Sequence, residues 1–249
     1  MASFDYRPSA VSKPHVTVDQ GLRQHMLRIY NYMASGVLLS GIVAWFSFQQ
    51  AVVMDPTGAI LGLTAWGQTL FASPLAFVVM LAPLGFILAL SFGVNRMQAS
   101  TLQTLFWVFA GVMGLSLSSI FMVYAGGSIA RVFFITAGAF AALSLYGYTT
   151  RKNLSGFGTF LFMGLIGLVL ASVVNIFLQS SMLSFVVSVV GVLVFAGLTA
   201  YDTQRIKEMY DVSDSPEIAS KKSIMGALSL YLDFINLFLM LLRLFAERR

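Results

Sequence analysis

Hydrophobic and polar positions alternate along this chain in long blocks, with neither the period of a strand nor the stripe of a surface helix. Seven apolar blocks stand out, at approximately 29–49, 75–95, 102–125, 128–148, 157–178, 182–203 and 226–245. Each is close to the ~20 residues that cross about 30 Å of hydrocarbon. Backbone groups find no water partner there, so each block is expected to be a helix. The blocks predict an all-α membrane protein with seven transmembrane helices. The organisation expected is a polar cytoplasmic segment over 1–28, with a short amphipathic lead-in helix from about Val18 in "VDQGLRQHMLRIYNYM", one helical domain over 29–246 and a short basic tail over 247–249.

The polar stretches between the blocks are short, with two exceptions. Residues 50–74, "QAVVMDPTGAILGLTAWGQTLFASP", are apolar but interrupted by Pro56, Gly58, Gly62 and Gly67. They predict an interfacial hairpin or half-helix and no eighth span. Residues 204–225 are charged, lack an apolar core and are expected to form an exposed loop.

Composition supports the same class. Of 249 residues, 58% are hydrophobic and only 10% charged, where soluble domains carry roughly 25%. Cysteine is absent, which excludes disulfides, zinc–thiolate sites, iron–sulfur clusters and thiol nucleophiles. The net charge of +5 sits in loops and records orientation in the bilayer, with no nucleic-acid partner implied. One side of the seven-span arrangement receives Arg7, Lys13, Arg23, Arg28, Arg96, Arg151, Lys152, Arg205, Lys207, Lys221 and Lys222. The other receives Arg131, Arg243, Arg248 and Arg249. The positive-inside rule then places the N-terminus in the cytoplasm. Three of the four outer charges belong to the C-terminal tail, and a re-entrant last segment would obey the rule better. Seven full crossings are the preferred reading.

Small residues recur at helix-packing spacing at Gly36 and Ser40, Gly138 and Ala142, and Gly167 and Ala171, which read as sites of close helix approach. Asn175 and Ser116, Ser118 and Ser119 read as inter-helix hydrogen-bond formers.

Two carboxylates interrupt the last two apolar blocks, Asp202 in "LTAYDTQ" and Asp233 in "LYLDFIN". An ionised Asp at a helix centre costs roughly 2.5–3.5 kcal/mol on insertion scales, so such a residue faces a partner or a water-filled cavity. On the seventh helix Ser229, Asp233, Asn236, Met240 and Arg243 share one face by spacing. A polar stripe turns toward protein, which makes this helix central. Asp233 is expected about seven residues, roughly 10 Å, into its span. Asp202 is expected near the same end of the sixth, and Arg96 closes the second at that face. Two carboxylates meeting there would share one proton and respond to pH, with Arg96 favouring the ionised state. Asp202 alone also reads as an interface residue pairing with Arg205. Arg96 alone reads as a topology anchor. His15 and His25 precede the first span and are not expected to take part.

At these residues the chain resembles a known family. "GLTAYDTQRIK" and "ALSLYLDFINLFLMLLRLF" resemble the C-terminal signature of the Bax inhibitor-1 family, also called the transmembrane Bax inhibitor motif family. "APLGFILALSF" and "SLYGYTTRKNLSGFGTFL" look like its bacterial members. The resemblance covers residues 22–246. It implies six helices around a central seventh, in the inner membrane of a bacterium. It also implies a pH-sensitive calcium leak governed by an aspartate pair that maps onto Asp202 and Asp233, with an arginine latch from the second helix that maps onto Arg96. Eukaryotic relatives suppress cell death, a pathway a bacterial chain lacks. The tail "AERR" departs from the acidic tails of some members.

Three functions compete on this reading. The first is a proton-regulated cation leak, with calcium as the transported ion, Asp202 and Asp233 as weak, transient calcium ligands, and Ser229 and Asn236 as pore-lining polar groups; no cofactor is expected. The second is a regulator of a membrane-bound protease, docking through the N-terminus and the 204–225 segment. The third is an intramembrane aspartyl protease of presenilin type. Tyr201–Asp202 matches one of its motifs, but Leu230, Tyr231 and Leu232 stand where the other needs glycine. A retinal protein needs a lysine within a span, and a rhomboid-like protease needs a histidine there; neither is expected here.

Overall fold

The computed structural model describes residues 15–56 and 59–249. Seven helices are long and apolar enough to cross a membrane. They are α1 (His15–Ala51), α2 (Leu75–Gly93), α3 (Ala99–Leu117), α4 (Gly126–Thr149), α5 (Ser155–Leu178), α6 (Ser181–Glu208) and α7 (Pro216–Phe245). The third crossing continues past a turn at Ser118–Ser119 into a short helix, Ile120–Val123.

The long first connection is a hairpin, as its glycines and proline predict. Strands β1 (Val52–Met54) and β2 (Ile60–Leu63) pair antiparallel, with Val52 opposite Leu63 and an irregularity between Val53 and Met54. A helical turn over Ala65–Gly67 and Gln68–Ala72 leads into α2.

α7 occupies the centre. It packs on α1, α3, α4 and α6, while α2 leans chiefly on α3 and α5 on α6. Burial follows this order: 67% of the most apolar window of α7 is buried, against 11% in α2 and α5. The outer helices present Leu, Phe and Val to the surroundings (Phe77, Phe92, Phe177) because lipid solvates them as well as protein does. Around α7 the core is aromatic. Phe106, Phe109 and Tyr231 pack edge to face, as do Phe133, Phe140 and Phe234.

Two expectations are corrected. Residues 204–225 are not an exposed loop. α6 continues to Glu208 and α7 begins at Pro216, leaving only 209–215 as a turn, with Ile206, Ser223 and Ile224 buried. Ser215 caps α7 by accepting from the Ile218 amide, with Pro216 and Glu217 in the first turn. That is the start signal of a helix projecting beyond hydrocarbon, where charge carries no penalty. α1 likewise runs unbroken from His15, so the lead-in helix expected from about Val18 is continuous with the first span and position 28 is no boundary, and His25 is buried against Ser223 of α7.

The small-residue pairs also need revision. A side chain at Gly138 or Gly167 would meet open space, whereas one at Gly36 would press on Phe106. Two spans approach closely at Gly147 of α4, where an added Cβ would press on the Ala200 carbonyl oxygen of α6. Asn175 does bond across helices, donating to Ser184 Oγ (2.7 Å) while accepting from the Ser180 amide (3.0 Å). Ser116 of α3 donates to the Val79 carbonyl of α2, and Ser118 and Ser119 cap their own helix.

The tail settles the last crossing. Tyr124 bridges Arg248, the Ala125 amide donates to Glu247 O (3.1 Å), and the Arg249 amide donates to Val123 O (2.9 Å). Residues 246–249 therefore lie at the end of the bundle opposite the 150–154 and 209–215 turns, and α7 is not re-entrant.

Candidate functional site

α6 and α7 carry the site and are joined by the short 209–215 turn, so they descend side by side. Asp202 stands six residues before Glu208 and Asp233 seventeen after Pro216; Gly226 packs on Ile206, and counted from that contact the two lie about 6 and 10 Å along their helices at 1.5 Å per residue, at similar depth. Asp233 is thus further from its helix start than the sequence suggests, because α7 begins ten residues earlier than its apolar block.

The two carboxyl groups face one another within interaction range. Asp233 is 5% exposed, and its Oδ2 receives no donor. Asp202 is half-buried. Both open onto a cavity of about 480 Å³ between α5, α6 and α7. Ser229 and Asn236 line the same cavity, as their shared face with Asp233 predicts, together with Tyr201 and Thr159. Asn236 Nδ2 donates to the Leu232 carbonyl at 2.9 Å, which leaves its carbonyl oxygen for the cavity. Met240 lies outside this lining and packs on Gly191 of α6. Arg243 is exposed near the far end of the helix.

Arg96 is not brought to the pair. It is exposed in the turn joining α2 to α3, and among the described residues it forms no ion pair. The cation at the cavity is Arg205, one helical turn beyond Asp202. It forms no ion pair with that carboxyl. Arg205 was legible only as a partner for Asp202 alone; i, i+3 spacing places it on the same helix face.

The cavity wall is rigid. Gln204, next to Arg205, donates to Lys152 O (2.8 Å) and accepts from the Leu154 amide (2.7 Å), clamping the α4–α5 turn. Thr203 bonds Ser144 (2.9 Å), which bonds Tyr30 (2.6 Å), tying α6 to α4 and α1. Nothing in the apolar pattern marks these polar ties, since Ser and Thr also occur in spans with no partner beyond their own helix.

Two facing carboxylates in a low-dielectric interior repel, and a proton or a cation between them would relieve that repulsion. Four carboxylate oxygens with Asn236 and Ser229 only just reach the lower limit of the six to eight oxygens a calcium ion takes, and only if both carboxylates bind through both oxygens. No group of three or more acidic or histidine side chains among the described residues makes a stronger metal site.

The molecule is therefore a seven-helix integral membrane protein with a carboxylate pair beside its central helix. The chain belongs to the Bax inhibitor-1 family: the family model described as inhibitor of apoptosis-promoting Bax1 matches residues 22–249. Relatives include an uncharacterized protein of Rickettsia prowazekii, 48% identical over 94% of this chain and 93% of its own length. The inner membrane protein YbhL of Escherichia coli is 46% identical over 92% and 94%. An uncharacterized protein of Caulobacter vibrioides is 42% identical over 98% and 96%.

Proposed function

We propose that this protein is a proton-regulated cation leak of a bacterial inner membrane, with calcium as the ion and Asp202 and Asp233 as the gate. The observation that carries the reading is the buried Asp233 oxygen without a donor, facing a second carboxyl in a polar-lined cavity. When a proton bridges the pair, the site is neutral and holds no cation. When the proton leaves, two negative charges remain and a cation takes its place. Proton and calcium thus compete for the same oxygens. Ser229 and Asn236 add neutral ligands, and the minimal shell keeps binding weak enough for release. Arg205 repels cations at the cavity and tempers their entry.

The charge distribution of the loops supports an orientation with the N-terminus and the 209–215 turn in the cytoplasm. Calcium-loaded liposomes of the purified chain test the reading. Efflux is expected to rise with pH, and Asp202→Asn and Asp233→Asn, whose amides imitate the protonated acid, are expected to flatten that rise. A pH response surviving in both variants rejects the gate; no efflux at any pH rejects the leak.

A further inference from the structure

We propose that the slot between α1 and α4, at the tail end of the bundle, is a binding site for one anionic phospholipid, its acyl chain in the slot and its phosphate on Arg249. α1 and α4 do not pack on one another here; both lean on α7. Between them lies a cavity of about 790 Å³. Gly41 and Trp45 of α1, Phe133 of α4 and Phe234 and Phe238 of α7 line it. Toward the other end of the bundle a second cleft of about 680 Å³ separates α1 from α4, and the Tyr30–Ser144 bond, 2.6 Å, lies in its wall.

Size selects the occupant. The slot follows α1 from Val37 to Gln49, about 18 Å at 1.5 Å per residue, which matches one leaflet's share, roughly 15 Å, of the hydrocarbon core. That length and the apolar lining suit a single hydrocarbon chain.

Charge selects the headgroup. The tail strand holds Arg249 in place through the Arg249 amide on Val123 O (2.9 Å). Its guanidinium lies 5.5 Å from the Phe48 ring centroid, at the slot's mouth. Among the described residues no carboxylate pairs with it. A planar guanidinium fixed at the rim of an apolar slot suits a phosphate ester on a chain. The tail arginines that oppose the positive-inside rule gain a role in this way.

Trp66→Phe with Trp107→Phe leaves Trp45 as the sole tryptophan in the slot. In phosphatidylcholine vesicles, brominated phosphatidylglycerol should quench Trp45 with about fivefold preference over its mole fraction, the effect of one arginine at a membrane surface. Gly41→Phe, where added atoms meet open space, should abolish the preference by filling the slot. Arg249→Gln should remove the phosphatidylglycerol preference alone. Native mass spectrometry of the chain with its tryptophans intact gives an independent reading: one retained phosphatidylglycerol, lost in Gly41→Phe. Quenching that follows mole fraction, retention unaffected by Gly41→Phe, or a dimer mass carrying no lipid would each overturn the proposal.

Discussion

Tyr231 of α7 donates its hydroxyl proton to Ser40 Oγ of α1 at 2.7 Å, and Ser40 donates onward to the Ala110 carbonyl of α3 at 2.7 Å. Both side chains are fully buried. This relay joins three helices two residues from Asp233, so the central helix has little freedom to turn about its axis. The Asp233 carboxylate is held in register from the opposite side of α7.

Replacing Tyr231 by Phe removes the donor and keeps the ring. Measured inter-helix hydrogen bonds in membranes average about 0.6 and reach about 1.7 kcal/mol. Tyr231→Phe is expected to fall in that range in a thermal or denaturant titration in detergent. Ser40→Ala should cost no less, since it also leaves the Tyr231 hydroxyl without its acceptor.

The α4–α6 contact makes a sharper contrast. Gly147→Ala places a methyl group against the Ala200 backbone, which cannot swing aside. A loss of about 1–3 kcal/mol is expected, as for other overpacked cores. Gly138→Ala, on the same helix but facing open space, is expected to be neutral or stabilising. Melting the two variants side by side checks both.

The 209–215 turn carries its own pH response. The Ser213 amide (2.8 Å) and hydroxyl (2.7 Å) donate to Asp211 Oδ1, and those bonds hold its carboxyl below the usual carboxylate value. With the folded value depressed, the turn's contribution is complete above the unfolded value near 3.9. It is lost as pH falls through the lower, folded one. Protection of the Ser213 amide from hydrogen exchange, taken relative to the intrinsic rate at each pH, should fall in acid, and Asp211→Asn should remove that dependence while leaving neutral-pH exchange of the flanking helices unchanged.

The flux experiment has a direction as well as a presence. If proton and calcium compete for Asp202 and Asp233, raising internal calcium should move the midpoint of the pH response toward lower pH. A midpoint fixed over a tenfold range of calcium would separate proton gating from ion binding.

The crossings were legible because hydrocarbon length is a hard constraint: an apolar run of that size has few other folds. The hairpin over 52–63 was legible from its glycines and proline. The ends of α1 and α7 were not. Beyond the bilayer a helix can be charged on every face, so hydropathy loses it at Arg28 and Lys222, although Ser215, Pro216 and Glu217 spelled out the start of α7. The meeting of Asp202 with Asp233 could be read from chain reversal and from the face shared by Ser229, Asp233 and Asn236. Arg96 could not be placed, since closing a helix fixes depth but not azimuth. Tyr231 was hidden by its own ambiguity: in an apolar block it reads as bulk, and only the neighbour across the interface reveals a hydrogen bond.

The helix at the centre of the bundle is also the last of the seven to leave the ribosome. Until it arrives, Phe106 of α3 and Phe140 of α4 lack the rings of Tyr231 and Phe234 that they pack against. The bundle is therefore completed from the middle by the last of its seven spans, and the other six alone would be a ring of helices with no hub.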